Sequence, residues 1–109
     1  MTQKQFKNQA KQFIQSKINT DINWTLKGLS VVFANQTLDE QRVETTRNHN
    51  RKGFTPADAK ILCNIAKKVG RFNLTENQIA AVRKRLPKYW KQIYMVCDRN
   101  KLATQMFNN

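Results

Sequence analysis

The chain has 109 residues, 39% of them hydrophobic, with three Gly and two Pro. That length suits one domain with one modest core, and so few chain breakers argue against long disordered tracts. Twenty Lys and Arg against seven Asp and Glu give a net charge of +13. Self-repulsion of that size points to a polyanionic partner, with nucleic acid first, ahead of an anionic membrane surface or an acidic protein.

In chain order, residues 2–18 are expected to form a first helix. Thr2 and Gln5 stand at capping-box spacing, and Phe6, Ala10, Phe13, Ile14 and Ile18 recur every three or four residues. Lys4, Lys7 and Lys11 fall on the opposite face, which reads as a solvated basic surface. A membrane-surface helix is the alternative, ranked lower because the apolar face is narrow. Asn19-Thr20-Asp21 breaks the helix and caps the next, expected from Ile22 to Asn35. Ile22, Leu26, Leu29, Val32 and Phe33 form its apolar stripe. Trp24 is expected to pack between the first two helices.

Thr37-Leu38-Asp39-Glu40 is a further capping signature, predicting a short third helix from Leu38 to about Arg47. A basic loop follows, Asn48 to Phe54, with Gly53 suited to a positive φ. Thr55-Pro56-Ala57-Asp58 then places Thr at N-cap, Pro at N1 and Asp at N3 of a fourth helix running to about Val69, with Gly70 closing it. Thr75 with Gln78 starts a fifth helix. Pro87 must kink or break it, since proline offers no N–H. An apolar stripe resumes through Tyr89 or Trp90, Ile93 and Val96 or Cys97. The tail 99–109 reads as a last short helix or a frayed end. No stretch alternates like a strand, so the fold class is all-α, a compact bundle of five or six helices. The pair at 56–86 has a helix-turn-helix outline, though its connection is longer than the usual tight turn.

No catalytic constellation is visible. Asp21, Asp39, Glu40, Asp58 and Glu76 all stand at helix starts, where capping and the helix dipole account for them. His49 is the single histidine and has no partner at a triad spacing. Cys63 and Cys97 lack CxxC spacing and read as reduced, packed thiols rather than metal ligands. The expectation is a protein with no enzymatic activity, no metal and no cofactor. The Gln- and Lys-rich start does not read as a signal peptide and no apolar run suits a membrane span, so a cytoplasmic location is expected, with no membrane and no small-molecule substrate as partner.

Nucleic-acid binding fits the charge distribution better. Between Glu76 and Asp98 there is no acid, while Arg83, Lys84, Arg85, Lys88 and Lys91 are interleaved with Tyr89, Trp90 and Tyr94. Cations position phosphates, and exposed rings stack on unpaired bases. Of the three rings, Tyr89 is the one expected to be exposed; Trp90 and Tyr94, four apart, are more often core. A second patch, Arg47, Arg51 and Lys52 with His49, precedes the fourth helix, whose N-terminus favours a phosphate, although Asp58 opposes it. The candidate contacts are therefore Arg47, Arg51, Lys52, Arg83, Lys84, Arg85, Lys88, Tyr89 and Lys91. On the helix-turn-helix reading Asn77 joins Arg83 and Lys84.

From Gln36 to Ile93 several short motifs recur together: Gln36-Thr37-x-Asp39-Glu40, Thr46-x-Asn48-x-Asn50-x-x-Gly53-Phe54, Asp58-Ala59, Leu74-Thr75-x-x-Gln78 and Leu86-Pro87-Lys88-Tyr89-Trp90-x-Gln92. About half the chain thus resembles a small basic helical module of phage and plasmid proteins and of the ends of some bacterial DNA helicases. Asn50-Arg51-Lys52-Gly53 departs from that module by its added charge. The resemblance implies a mobile-element origin and an accessory role in DNA replication, recombination or regulation, and transfers no catalytic residues. DNA is the favoured partner and RNA the alternative. A phage counter-defence protein that binds a host protein or nucleoprotein complex, and a ribonucleoprotein subunit, are the competing expectations.

Overall fold

The computed structural model describes residues 2–36 and 53–107. The expected third helix at 38–47 and the candidate contacts Arg47, Arg51 and Lys52 lie outside the described residues. Those residues form six α-helices and one 3-10 turn, without a strand. The helices are α1 (Gln3–Thr20), α2 (Ile22–Ala34), α3 (Pro56–Lys68), α4 (Glu76–Arg85), α5 (Trp90–Val96) and α6 (Arg99–Phe107); the 3-10 turn spans Leu86–Tyr89.

Each helix start follows from local chemistry. Thr2 and Gln5 make the reciprocal capping box of α1, and Thr75 and Gln78 make that of α4. Asp21 closes α1 and opens α2: its N–H donates to the Lys17 carbonyl at 2.8 Å and its carboxylate accepts from Asn23 N at 2.9 Å. Proline occupies the first position of α3. Gly70, at φ +83°, turns the chain after α3 in the left-handed region. Pro87 breaks the helical register into the 3-10 turn, and α5 restarts from it. The tail is a docked helix, with Leu102 buried against the core.

One core runs through all the helices. Ala10, Ile14 and Ile18 of α1, Leu29 and Val32 of α2, Ala59, Leu62, Cys63 and Ile65 of α3, Val82 of α4, Leu86, Ile93 and Leu102 are all buried. Phe13 meets Trp24 edge-to-face at 5.8 Å, the expected α1–α2 packing. Three features depart from the apolar pattern. Ile22, expected in the stripe of α2, is 40% exposed, while Thr25 and Gly28 of α2 are buried. Thr25 Oγ1 donates to the Ile18 carbonyl at 2.6 Å, which satisfies the hydroxyl inside the α1–α2 corner. Gly28 lets Ile93 of α5 approach so closely that an added Cβ would lie 2.9 Å from its Cδ1. Val96 is 60% exposed, and the half-buried Cys97 takes the inward position.

Both cysteines are free thiols. Burial pushes the Cys97 thiol up. Among the described residues no helix is long and apolar enough to cross a membrane.

Candidate nucleic-acid interface

The basic run from Arg83 to Lys91 does not form one surface. Arg83 is half-buried, and its Nε donates to the Ile18 carbonyl and to Thr25 Oγ1, both at 3.2 Å. It ties α4 to the α1–α2 corner. Arg85 donates to the Ala81 carbonyl at 3.0 Å and lies 3.7 Å from the Asp58 carboxylate. Lys88 pairs with the other oxygen of Asp58. Lys84 and Lys91 are the exposed members of the run without such a partner in this geometry.

Tyr89 corrects the expectation of an exposed ring. It is 5% exposed and packs edge-to-face on the buried Phe54 at 5.7 Å. Its hydroxyl donates to Asp58 Oδ2 at 2.6 Å and accepts from Thr55 N at 3.0 Å. Burial and then the adjacent carboxylate push the hydroxyl pKa up to about 12. Asp58 is itself buried, which raises a carboxyl; Lys88, Tyr89 and Arg85 outweigh that and hold it below its ordinary value. Asp58 therefore does more than serve the dipole of α3. It neutralises two of the cations that the charge pattern assigned to a ligand.

A second polar network lies beside this one. Gln92 accepts from Asn35 Nδ2 at 2.8 Å and from Gly53 N at 2.9 Å, and donates back to the Gly53 carbonyl at 2.9 Å. Gln36 accepts from Phe54 N at 2.8 Å. The buried Gln36 and Gly53, which flank residues 37–52, are thus fastened together. Gly53 adopts φ +78°, and a Cβ there would lie 1.8 Å from Gln36 Oε1, so any side chain at this position is strained and must displace the Gln36 amide. Gln36, Gly53, Phe54, Asp58, Tyr89 and Gln92 all belong to the short motifs of residues 36–93, and here their role is structural. The N–H groups of Gly53, Phe54 and Thr55 are all engaged, and Asp58 sits in the first turn of α3. The Asp58 carboxylate in that first turn works against a phosphate at the N-terminus of α3, as expected from the sequence.

The charge that remains outward gathers elsewhere. Lys4, Lys7 and Lys11 recur along one face of α1, a helix without a single acidic residue. Gln15 Nε2 donates to the Pro87 carbonyl at 3.1 Å, which sets α1 beside the 3-10 turn and α5. Lys11 Nζ then lies 5.6 Å from the centre of the half-buried Trp90 ring. One turn further along α5, Tyr94 is buried, 6.1 Å from Trp90 and 6.5 Å from Phe6. Arg99 stacks on it at 4.0 Å and donates to its hydroxyl at 2.9 Å. Lys4, Lys7, Phe6, Tyr94, Met95 and Arg99 line a shallow open depression of about 780 Å³. Lys91 is exposed on α5 itself.

Reading one segment at a time assigned the lysines of α1 to plain solvent. The signal that would have found them is the absence of any acid in α1 together with Lys at i, i+3 and i+7. What cannot be read locally is that α1 packs against α5.

On the helix-turn-helix outline, Asn77 and Lys84 of α4 are exposed and Arg83 is held by α1 and α2. Among the described residues no group of His, Cys, Asp and Glu could hold a metal ion.

Comparison with protein-family models, with curated proteins and with solved structures finds no match. The functional reading therefore rests on the geometry of this chain.

Proposed function

We propose that the protein is a non-enzymatic nucleic-acid-binding module that grips the phosphate backbone through α1 and α5. The observation that carries this reading is the convergence of Lys4, Lys7 and Lys11 of α1 and Arg99 of α6 around Tyr94 and Trp90 of α5, three helices that contain no acid. Ammonium and guanidinium groups spaced along a helix neutralise successive phosphates and release their counterions. The half-buried Trp90 ring beside them offers a stacking edge for a base. Lys84 and Lys91 add outward charge, and Arg83, Arg85, Lys88 and Tyr89 contribute by shaping the scaffold. DNA is placed ahead of RNA on the resemblance of residues 36–93 to modules of phage and plasmid proteins, which also suggests an accessory role in replication, recombination or regulation.

Fluorescence anisotropy with single-stranded DNA, duplex DNA and RNA tests the reading. Affinity should fall steeply between about 50 and about 200 mM salt, as counterion release requires. Affinity independent of salt over that range would refute it.

A second reading, direct binding to a host protein or nucleoprotein complex, is favoured by the exposed Met95, Val96 and Phe107, 67%, 60% and 54% accessible. Capture from lysate with and without nuclease separates the two. Nuclease-sensitive capture supports the first reading, and nuclease-resistant capture the second.

A further inference from the structure

The connection between α3 and α4 carries a feature that the α1–α5 face does not explain. Phe72 is 68% exposed, the most exposed large apolar side chain among the described residues. Burying such a ring is favourable, and a groove that could receive it is close by. Phe72 itself edges an open groove of about 480 Å³ formed with Ile22, Leu26, Val69, Leu74 and Ile79. The turn that presents it is well defined. Gly70, at φ +83°, reverses the chain, and the N–H groups of Arg71 and Phe72 both donate to the Lys68 carbonyl, at 3.1 and 3.0 Å. These bonds order the backbone of the turn that carries the exposed ring.

Its surroundings are cationic. Lys67, Lys68 and Arg71 lie within five residues before it, with no acid between Asp58 and Glu76. A solitary exposed Phe is unremarkable on a protein surface. A Phe on an ordered turn with Lys68 and Arg71 close in sequence, beside an open groove of mixed polar and apolar lining, matches what an unpaired base with its phosphates presents: an aromatic face and adjoining negative charge.

We propose that Phe72 is a base-stacking site for single-stranded nucleic acid, with Arg71 and Lys68 holding the flanking phosphates. This rests on the nucleic-acid reading above and adds a second contact at the opposite end of α1 from Lys4 and Lys7. The groove lined by Ile22, Leu26 and Ile79 receives the edge of the stacked base. Duplex DNA, whose bases are already stacked, cannot use the site in this way.

The test compares the wild type with Phe72→Ala, Phe72→Tyr and Arg71→Ala by anisotropy, on a thymidine homopolymer and on a duplex of equal length, across a salt series. Phe72→Ala should weaken single-strand binding roughly 5- to 100-fold, leave duplex binding unchanged and leave the slope of log affinity against log salt unchanged. Phe72→Tyr should bind as the wild type does. Arg71→Ala should make the single-strand slope shallower by about 0.7. Single-strand binding unaltered by Phe72→Ala, or an equal loss on duplex, overturns the stacking site while leaving the α1–α5 reading in place. A wild type that binds neither polymer overturns both. Cosedimentation with phosphatidylserine vesicles that is lost in Phe72→Ala, without a change in single-strand binding, overturns the site in favour of a membrane contact.

Discussion

Replacing Tyr89 by Phe isolates the network that turns a basic run into scaffold. The substitution keeps the ring on Phe54 and removes one oxygen. That oxygen donates to Asp58 at 2.6 Å and accepts from Thr55 N at 3.0 Å. A hydrogen bond to a charged group contributes about 1.5–3 kcal/mol and a neutral one about 1 kcal/mol. Asp58 keeps Lys88 and Arg85 as partners, which softens the loss. The expected cost is therefore about 2–3 kcal/mol, or roughly 8–12 °C in Tm for a domain of this size. Urea and thermal unfolding read it directly. The pH dependence makes the reasoning sharper. Asp58 has a lowered carboxyl pKa in the fold, so its contribution is full above the unfolded carboxyl value and is lost as pH falls through the lower folded value. Tyr89 is an acid whose pKa is raised to about 12 in the fold, against about 10 in the unfolded chain. Its contribution is full below about pH 10 and is lost as pH rises toward about 12. The stability gap between wild type and Tyr89→Phe should hence be a plateau that narrows in acid toward the neutral bond from Thr55 N, and narrows again in alkali. Because the ring is buried, nucleic-acid affinity of the folded variant should not change. A gap under about 0.5 kcal/mol, below the range for a charged hydrogen bond, or a gap undiminished in strong acid, would refute this account of Asp58 and Tyr89.

Other substitutions separate scaffold from surface. Gly53→Ala should destabilise by about 2–4 kcal/mol, since a left-handed alanine costs about 1–2 kcal/mol and the Cβ expels Gln36 Oε1 from Phe54 N; chemical denaturation checks it. Lys4, Lys7 and Lys11 changed together to Gln should leave helicity and Tm nearly unchanged and flatten the salt slope of binding by about 2–3. Arg83→Ala should cost about 1–3 kcal/mol by unmaking the bonds to Ile18 and Thr25, with a change in the salt slope smaller than that of the lysine triple variant. Arg83→Lys should recover little of that stability, because Arg83 acts through its Nε, and thermal unfolding of the two variants side by side checks it.

The helical frame was legible because its signals are local. Thr2 with Gln5, Asp21, Pro56, Gly70, Thr75 with Gln78 and Pro87 each act within four residues, and each marks a boundary in the structure. The polar interior was not legible. Tyr89 finds Asp58 across 31 residues and Gln92 finds Gly53 across 39. Nothing in a period of 3.6 encodes such pairings. Thr25 and Gly28 escaped for a related reason. Hydropathy ranks them as neutral, yet one satisfies a carbonyl at a corner and the other makes room for a crossing helix.

The candidate site shows the same division in terms of charge. Net charge counts every cation alike, but a cation already bonded to the fold has little left for a phosphate. Arg83 is held by a carbonyl and a hydroxyl, and Arg85 and Lys88 share a buried carboxylate. Moving any of them to a phosphate would strand Asp58 or the Ile18–Thr25 corner, and that loss is of the same order as the strength of the phosphate bond it would make. The lysines of α1 face no such conflict. Lys11 is held only by a ring, an interaction of about 0.5–1 kcal/mol at an exposed position, and one that a stacked base or phosphate can share rather than break. The densest cationic run in the sequence therefore builds the platform, and the sparser one on α1, aligned by Gln15 and Trp90, is the face we propose for the polyanion.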